Sequence, residues 1–503
     1  MTNLLAYLEK TVQTHGDKTA FVGEKGTLTF RALSEKARAV GSALHTRGVY
    51  KKPVVVFMEK SADMVAAFCG VVYGGCYYVP IDAEMPLYRI RQIVETVNPA
   101  LIICDTPAQQ LLNEWDISYE AILFADIIVT QVDDTVLACI RRRAIDTDPL
   151  YVVFTSGSTG VPKGVTACHR SVIDYIEQLS VVLQVDETTI FGNQSPLYLD
   201  ACLKELLPTL KFGATTYFVP KQLFMFPVKL IDYLNEHRIN TICWVASALG
   251  LVAGLGALKK ATPHTLRTIA FGSEVFAIKH LNQWREAVPN ARFIHLYGPT
   301  EATGMSLFHV LDRAYTEADT VPIGRPFPNT GVLLLDENDQ PPPLNETGEI
   351  CIRGTCLCAG YYNDPERTRA AFKQNPLSPF ADTIYRTGDL GYQDAAGNYY
   401  FVARKDHQIK HMGYRIELNE IEWVAARIPG VQLACAVFND QASRIILYYM
   451  AEEGTEKTAV QAALKAELPR YMLPHAIFPL PTLPQTPGGK IDRVALLAQY
   501  RKD

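Results

Sequence analysis

No apolar run in this 503-residue sequence is long enough to cross a bilayer, so membrane insertion is not expected. The opening residues, MTNLLAYLEKTVQTHGD, lack a basic start ahead of an apolar core, which speaks against a secretory signal. The spacing of Leu4, Leu5, Leu8 and Val12 suits an amphipathic helix instead. Cationic excess is also missing. The 48 Lys and Arg against 53 Asp and Glu leave a net charge of -5, which gives no electrostatic footing for nucleic acid or an anionic membrane. There is no paired-cysteine framework: the 11 cysteines are odd in number and scattered, as in a reducing compartment. The one tight group, Cys351, Cys356 and Cys358 in CIRGTCLC, lacks the Cys-x-x-Cys and His spacing of a zinc site. It reads as buried apolar thiols. Internal repeats, low-complexity stretches and Gly/Ser-rich linkers are absent too. A cytoplasmic protein is expected.

What is present is an α/β pattern. KPVVVFMEK reads as a short buried strand, and SADMVAAFCGVVYGG as an apolar helix closed by Gly74 and Gly75. LIICD, LRTIAFG and ARFIHLYG read as further strands. Strands alternating with helices predict parallel sheets built from βαβ units. The length exceeds one hydrophobic core, so two or more domains are expected. Near the end the character changes. NEIEWVAARI, LACAVFND, SRIILYYMAE and AVQAALKAEL suggest a small α+β unit of about 100 residues.

The sharpest local signal is YVVFTSGSTGVPKGV, residues 151–165. An apolar, β-branched run stops at a cluster of hydroxyls and glycines, with Lys163 after a Val-Pro step. Glycines let backbone N–H groups form a concave anion site, Ser and Thr add donors, and lysine supplies a mobile charge suited to phosphate. The order is not G-x-x-x-x-G-K-[ST], since Gly164 follows Lys163. TSGSTGVPKGV resembles the phosphate loop of the adenylate-forming superfamily, which includes amino-acid adenylation domains, acyl-CoA synthetases and luciferases. The other motifs stand in order: LTFRALSEKARAVGSAL and GGCYYVPID before the loop, then FGSE, YGPTEAT, GEICIRG, YRTGDL, ARKDHQIKHMGYRIELNEIE and LPQTPGGKIDR. The likeness covers essentially the whole chain. NQSP ahead of Asp200 and the C-terminal LPRYMLPHAIFPLPTLPQTPGGKIDR look closest to the stand-alone D-alanine–carrier-protein ligases.

That resemblance implies a large N-terminal domain, 1–405, with parallel-rich sheets and helices, and a small mobile C-terminal domain, 406–503, hinged at Asp406. It implies ATP and Mg²⁺ as cofactors, ATP being held as AMP or aminoacyl-AMP. Thr155, Ser156, Gly157, Ser158, Thr159 and Lys163 would hold the β- and γ-phosphates. Tyr297 would stack on adenine, with Gly298 and the FGSE residues Gly272, Ser273 and Glu274 also at the nucleotide. Thr300 would touch the α-phosphate, and Glu301 would hold Mg²⁺. Asp389 would accept hydrogen bonds from the ribose hydroxyls, and Arg404 would reach ribose and phosphate. Lys490 resembles the catalytic lysine that bridges the carboxylate and the α-phosphate. The small domain would rotate between half-reactions, with HMGYRIE lining a thiol tunnel and Gly413 permitting close backbone approach. His295 departs from the pattern, standing where Asn commonly faces the adenine amino group; it still accepts one hydrogen bond if its facing nitrogen is unprotonated.

In the amino-acid branch an Asp pairs with the substrate's α-ammonium, and Asp200 falls there, after Leu199 rather than the usual aromatic. By motif position Ala201, Lys204, Cys243, Ile269, Phe271, Leu296, Gly304 and Met305 would line the side-chain pocket. Two clues conflict. Lys204 suggests an acidic substrate, because a buried lysine needs a partner, whereas Phe271 would shorten the pocket and favour a small one. The resemblance further implies an acceptor in trans, the phosphopantetheine of a separate carrier protein, and a monomer. The competing enzyme reading is an acyl-CoA synthetase for a small carboxylic acid, against which Asp200 argues. A non-catalytic nucleotide-binding scaffold is the reading from another class, and intact Lys163, Glu301, Asp389, Arg404 and Lys490 argue against it.

Overall fold

A computed structural model describes residues 2–157, 161–440, 442–485 and 491–500. The chain divides into two units. One comprises Met1–Ala83, Val97–Val153 and Gly164–Lys405; the other comprises Glu84–Thr96, Phe154–Lys163 and Asp406–Asp503. The second unit thus takes in two segments that the sequence reading assigned to the large domain.

The first unit is α/β, as the alternation of strands and helices predicts. Its nine-stranded sheet runs Arg325–Pro326, Leu307–Val310, Arg292–Tyr297, Thr268–Gly272, Thr241–Val245, Ile190–Asn193, Thr215–Phe218, Thr19–Gly23 and Gly26–Thr29. The interior strands pair in parallel and the margins antiparallel. A seven-stranded sheet holds Pro53–Phe57 between Tyr77–Ile81 and Leu101–Cys104, again in parallel. Helix Ala62–Tyr73 is capped by Ser61, whose hydroxyl accepts from the Met64 N–H at 3.2 Å, and is buried on nearly every side. An interior layer of this kind demands the unbroken apolar run that the sequence supplies. A five-stranded antiparallel sheet carries Gly348–Gly354, Thr383–Gln393 and Tyr399–Arg404. Cys351, Cys356 and Cys358 are buried free thiols.

Parallel register decides which side chains share a face. Cys243 lies opposite Ala270, and Ala270 opposite Ile294; Phe271 lies opposite His295, and Gly272 opposite Leu296. Successive strand residues alternate faces. Cys243, Ala270, Ile294 and Leu296 therefore join one apolar cluster, with Tyr175, Cys202 and Met305. Trp244, Ile269, Phe271 and Phe293 join another, with Phe276 and Trp284.

In the second unit, strands Gln408–His411 and Tyr414–Glu417 pair through a two-residue turn. Met412 at φ 53° and Gly413 at φ 80° give the two positive dihedrals of a primed hairpin turn. Helix Leu418–Ala426, strands Val431–Asn439, Arg444–Ala451 and Ala476–Pro479, and helix Lys457–Glu467 follow. They enclose a core around Ile421, Ala436, Leu447 and Leu464. Among the described residues no helix is long and apolar enough to cross a membrane.

Candidate active site

In the first unit, strand Arg292–Tyr297 delivers Tyr297 to a buried polar junction. The Tyr297 hydroxyl donates to the Asp389 carboxylate, and so does the guanidinium of Arg404, its cross-strand neighbour. The Asp389 N–H donates to Thr387 Oγ1 at 3.0 Å, and that hydroxyl donates to the Ile350 carbonyl at 2.7 Å, which fixes the carboxylate's backbone. Burial and the Asp389 charge hold the Tyr297 hydroxyl far above the usual tyrosine range, so it remains a donor at neutral pH. Tyr297, Asp389 and Arg404, three of the expected nucleotide residues, thus come together. His295 places Nδ1 at 2.7 Å from the Pro322 carbonyl. A carbonyl only accepts, so Nδ1 carries the proton of that bond. Gly272 ends its strand, Ser273 follows at φ 68°, and Glu274 Oε2 accepts the Ser247 N–H at 2.9 Å at the start of helix Ala246–Gly254. Glu274 therefore serves a helix end that would otherwise leave donors unmet.

Immediately after Tyr297 and Gly298, residues Thr300–Ala302 form a single helical turn. Glu301 is fully buried and accepts from the Tyr361 hydroxyl at 2.7 Å. The Thr300 hydroxyl neighbours Asp200. Burial pushes the Asp200 carboxyl up, against the pull of Thr300 and of the Lys204 ammonium, while the Glu301 charge adds to the push. Ala201 follows Asp200 in the short helix Asp200–Cys202, and Lys204 begins the next one, Leu203–Phe212. Lys204 is only 2% exposed, and its charge acts on both Asp200 and Glu205.

Beside Lys204, Glu205 is fully buried. It accepts from Asn193 at 3.2 Å through Oε2, and its Oε1 has no partner among the described residues. The Lys60 ammonium donates to the carbonyls of Asn193, Gln194 and Ser195 at 3.4, 3.3 and 3.0 Å. Burial pushes Glu205 up to about 7, against Lys204, Asn193 and Lys60, and pushes Lys60 down to about 8, against Glu205. Native Glu205 keeps its proton to about pH 7, whereas the unfolded chain releases it near 4.5. The native state binds more protons in that window, so stability falls as pH rises through it; Lys60 begins to lose its own proton only above that window. Glu205→Gln removes this titration. Relative to that variant, the wild type should lose roughly 1–3 kcal/mol between about pH 5 and about pH 7, read as diverging melting temperatures. Parallel curves would contradict the assignment.

Of the expected pocket residues, Cys243, Leu296 and Met305 share one cluster. The structure does not bring Ile269 and Phe271 to them. Phe271 packs edge-on against Phe276 at 5.0 Å and stacks on His295 at 5.1 Å. Ala270 stands opposite Cys243.

The described part of the glycine- and hydroxyl-rich loop belongs to the second unit. Thr155 Oγ1 is buried without a partner among the described residues. Ser156 Oγ donates to the Arg415 carbonyl at 2.6 Å. The Gly157 N–H donates to Glu420 at 3.2 Å, a carboxylate also held by Arg89 at 2.8 Å. Lys163 Nζ lies 3.9 Å from Glu417. A Cβ at Gly157 would stand 1.9 Å from the Val161 carbonyl, so only glycine fits. Hydroxyl, N–H and ammonium donors, the last two facing carboxylates, are a donor set that fits phosphate oxygens. For Mg²⁺ the fit is a single carboxylate, Glu301, suited to an ion whose remaining ligands are phosphate and water; no cluster of three or more acidic, His or Cys ligands occurs among the described residues. Asp406 is exposed and accepts the Gln408 N–H at 3.1 Å. Ser158, Thr159 and Lys490 lie outside the described residues.

The sequence reading missed Tyr361, Glu205, Lys60, Tyr175, Arg89 and Glu420. GYYND after GEICIRG could have flagged Tyr361. The others sit in apolar or amphipathic segments where helical spacing announces only burial.

The family profile described as AMP-binding enzyme matches residues 8–362. Tyrocidine synthase 3 of Brevibacillus parabrevis is 31% identical over 487 residues, 95% of this chain but 7% of that protein, so the chain spans a small part of that relative's length. Holo-PA1221, an NRPS protein containing adenylation and PCP domains bound to a vinylsulfonamide inhibitor, aligns with a TM-score of 0.84 at 24% identity, covering 99% of this chain and 84% of that one. At that identity the likeness speaks for the fold. Holo-AB3403, a four-domain nonribosomal peptide synthetase bound to AMP and glycine, aligns with a TM-score of 0.72 at 27% identity, covering 98% and 36%.

Proposed function

The chain belongs to the AMP-binding enzyme family, and from that premise we propose that it activates an amino acid for transfer to a carrier protein. The substrate carboxylate attacks the α-phosphate of ATP, the bond to the β-phosphate breaks and pyrophosphate leaves. The aminoacyl group then passes from AMP to the phosphopantetheine thiol of a separate carrier. The observation that carries this reading is the placement of Asp200 beside Thr300. It ties the YGPTE turn to a desolvated carboxylate, and a substrate ammonium is the partner such a carboxylate needs. The four-domain synthetase bound to AMP and glycine supports the same choice, and the PCP domain of holo-PA1221 supports a carrier acceptor.

Each residue then has a task. The loop Thr155, Ser156, Gly157, Ser158, Thr159 and Lys163 binds the departing phosphates. Tyr297 takes the adenine face, and Asp389 and Arg404 the ribose. Glu301 would hold Mg²⁺, which supplies charge neutralisation on the leaving pyrophosphate when bound. Lys490 stabilises charge at the α-phosphate, and Asp406 is the hinge that exchanges the two half-reactions. Pyrophosphate exchange over both enantiomers of the amino acids, followed by transfer to carrier protein or to CoA, tests the reading. Exchange driven by small des-amino acids, with CoA as the preferred thiol, would replace it with an acyl-CoA synthetase.

Two observations favour an acidic substrate over a small one. Phe271 faces away from Cys243, which removes the steric reason for a short pocket, and Lys204 sets a buried positive charge beside Asp200. Lys204→Met should lower kcat/KM for the acidic amino acid about 10- to 100-fold, the scale of one hydrogen bond to a charged group, and raise it relatively for apolar ones. A wild-type preference for alanine, untouched by this change, would favour a D-alanine-ligase-like specificity instead.

A further inference from the structure

Resting on the amino-acid reading above, we propose that Tyr175 is a specificity-determining residue, its hydroxyl donating a hydrogen bond to an oxygen at the end of the substrate's side chain. Tyr175 belongs to helix His169–Leu183, outside every motif quoted. It is 3% exposed, and among the described residues its hydroxyl has no hydrogen-bond partner. A buried phenol ordinarily finds one, and an unpaired one costs stability. An unpaired hydroxyl at this depth therefore points to a partner from outside the chain.

Its neighbours place it at the pocket. Gly304, at φ 82°, follows the turn that holds Thr300 and Glu301. A Cβ there would stand 3.0 Å from the Tyr175 ring and 3.2 Å from its hydroxyl. Glycine thus lets the phenol lie directly against that turn. On the sheet side, Tyr175 shares its cluster with Cys243, Leu296 and Met305, and with Cys202 and Leu203, which separate Asp200 from Lys204 in the chain. Asp200, Glu205 and Cys243 are among the groups whose charge reaches the hydroxyl.

Donor chemistry selects the occupant. With Asp200 engaged by the substrate ammonium, the pocket still offers a phenol and the donor-only ammonium of Lys204. Both are satisfied by oxygen. A carboxylate and a carboxamide share that atom, and the buried Glu205 Oε1, unpartnered among the described residues, has room in its valence for an amide N–H.

Tyr175→Phe removes the hydroxyl and keeps the ring. Pyrophosphate exchange is measured for wild type and variant with both enantiomers of glutamate, glutamine and methionine, the last an apolar counterpart of similar length. Melting temperatures are measured alongside. The wild type should prefer an oxygen-ended side chain. The variant should lose about 3- to 10-fold in kcat/KM for that substrate, the value of one neutral hydrogen bond, and nothing for methionine. Its melting temperature should hold or rise. A loss confined to glutamate or to glutamine supports the proposal and identifies which terminal group is read. Equal losses for methionine, no loss for either oxygen-ended substrate, or a wild type that prefers methionine or alanine would each overturn the role of Tyr175 while leaving amino-acid activation standing. Wild-type exchange that answers to no amino acid overturns both.

Discussion

Asp200→Ala is expected to remove nearly all amino-acid-dependent pyrophosphate exchange while ATP still binds. The proposed partner of Asp200 is the substrate's α-ammonium, and without the carboxylate that cation enters a desolvated site uncompensated. Breaking a buried ion pair costs about 3–5 kcal/mol. The lower end applies, because Asp200 is only partly buried before substrate covers it, so the loss in kcat/KM should be on the order of 10²-fold. Stability should move the other way. Burial already pushes the Asp200 carboxyl up, which means that the fold disfavours its charge, and alanine relieves that. An unchanged or raised melting temperature with collapsed exchange separates substrate binding from folding. Asp200→Asn keeps the size of the side chain but not its charge, and should fail nearly as badly. A wild type that activates des-amino acids as well as amino acids would show that Asp200 has another task.

The fold was legible because its signals are local. Val54, Val55 and Val56 in one run, and apolar residues around the whole of Ala62–Tyr73, are what buried strands and an interior helix require. The residues expected at the nucleotide stand in ordered strings, YGPTE and TGDL, and the structure brings Tyr297, Asp389 and Arg404 together. The pocket was less so. Motif spacing locates a residue along a strand but not the face it presents, and one step separates Ala270, beside Cys243, from Phe271, beside Phe276. Side chains that come together from segments far off in sequence carry no string at all. Tyr175 and Lys60 look like any amphipathic position until the tertiary structure leaves one hydroxyl unpaired and sends one ammonium to three carbonyls. The segments Glu84–Thr96 and Phe154–Lys163 group with the C-terminal residues through contacts such as Arg89 to Glu420, which join positions more than three hundred residues apart.

Lys490→Ala should cut adenylation by about 10²- to 10³-fold, the scale of removing one preorganised donor from a site of developing charge. The reason lies in where charge gathers. As the carboxylate oxygen closes on the α-phosphate, negative charge crowds onto the oxygens around phosphorus, and an ammonium at that point is worth more in the transition state than in the ground state. A loss of that kind appears in kcat and in kcat/KM together, with little change in the KM for ATP, whereas loss of simple nucleotide binding would raise KM alone. The second half-reaction provides the control. Thiol attack on a preformed aminoacyl-adenylate makes its new bond at the acyl carbon and not at phosphorus, with AMP as the leaving group, so transfer from supplied adenylate to carrier protein should be largely spared. Lys490→Arg keeps the charge but changes its shape from a point to a planar fork, and should recover only part of the rate. Equal loss in both half-reactions, or none in either, would move the lysine out of the adenylation step.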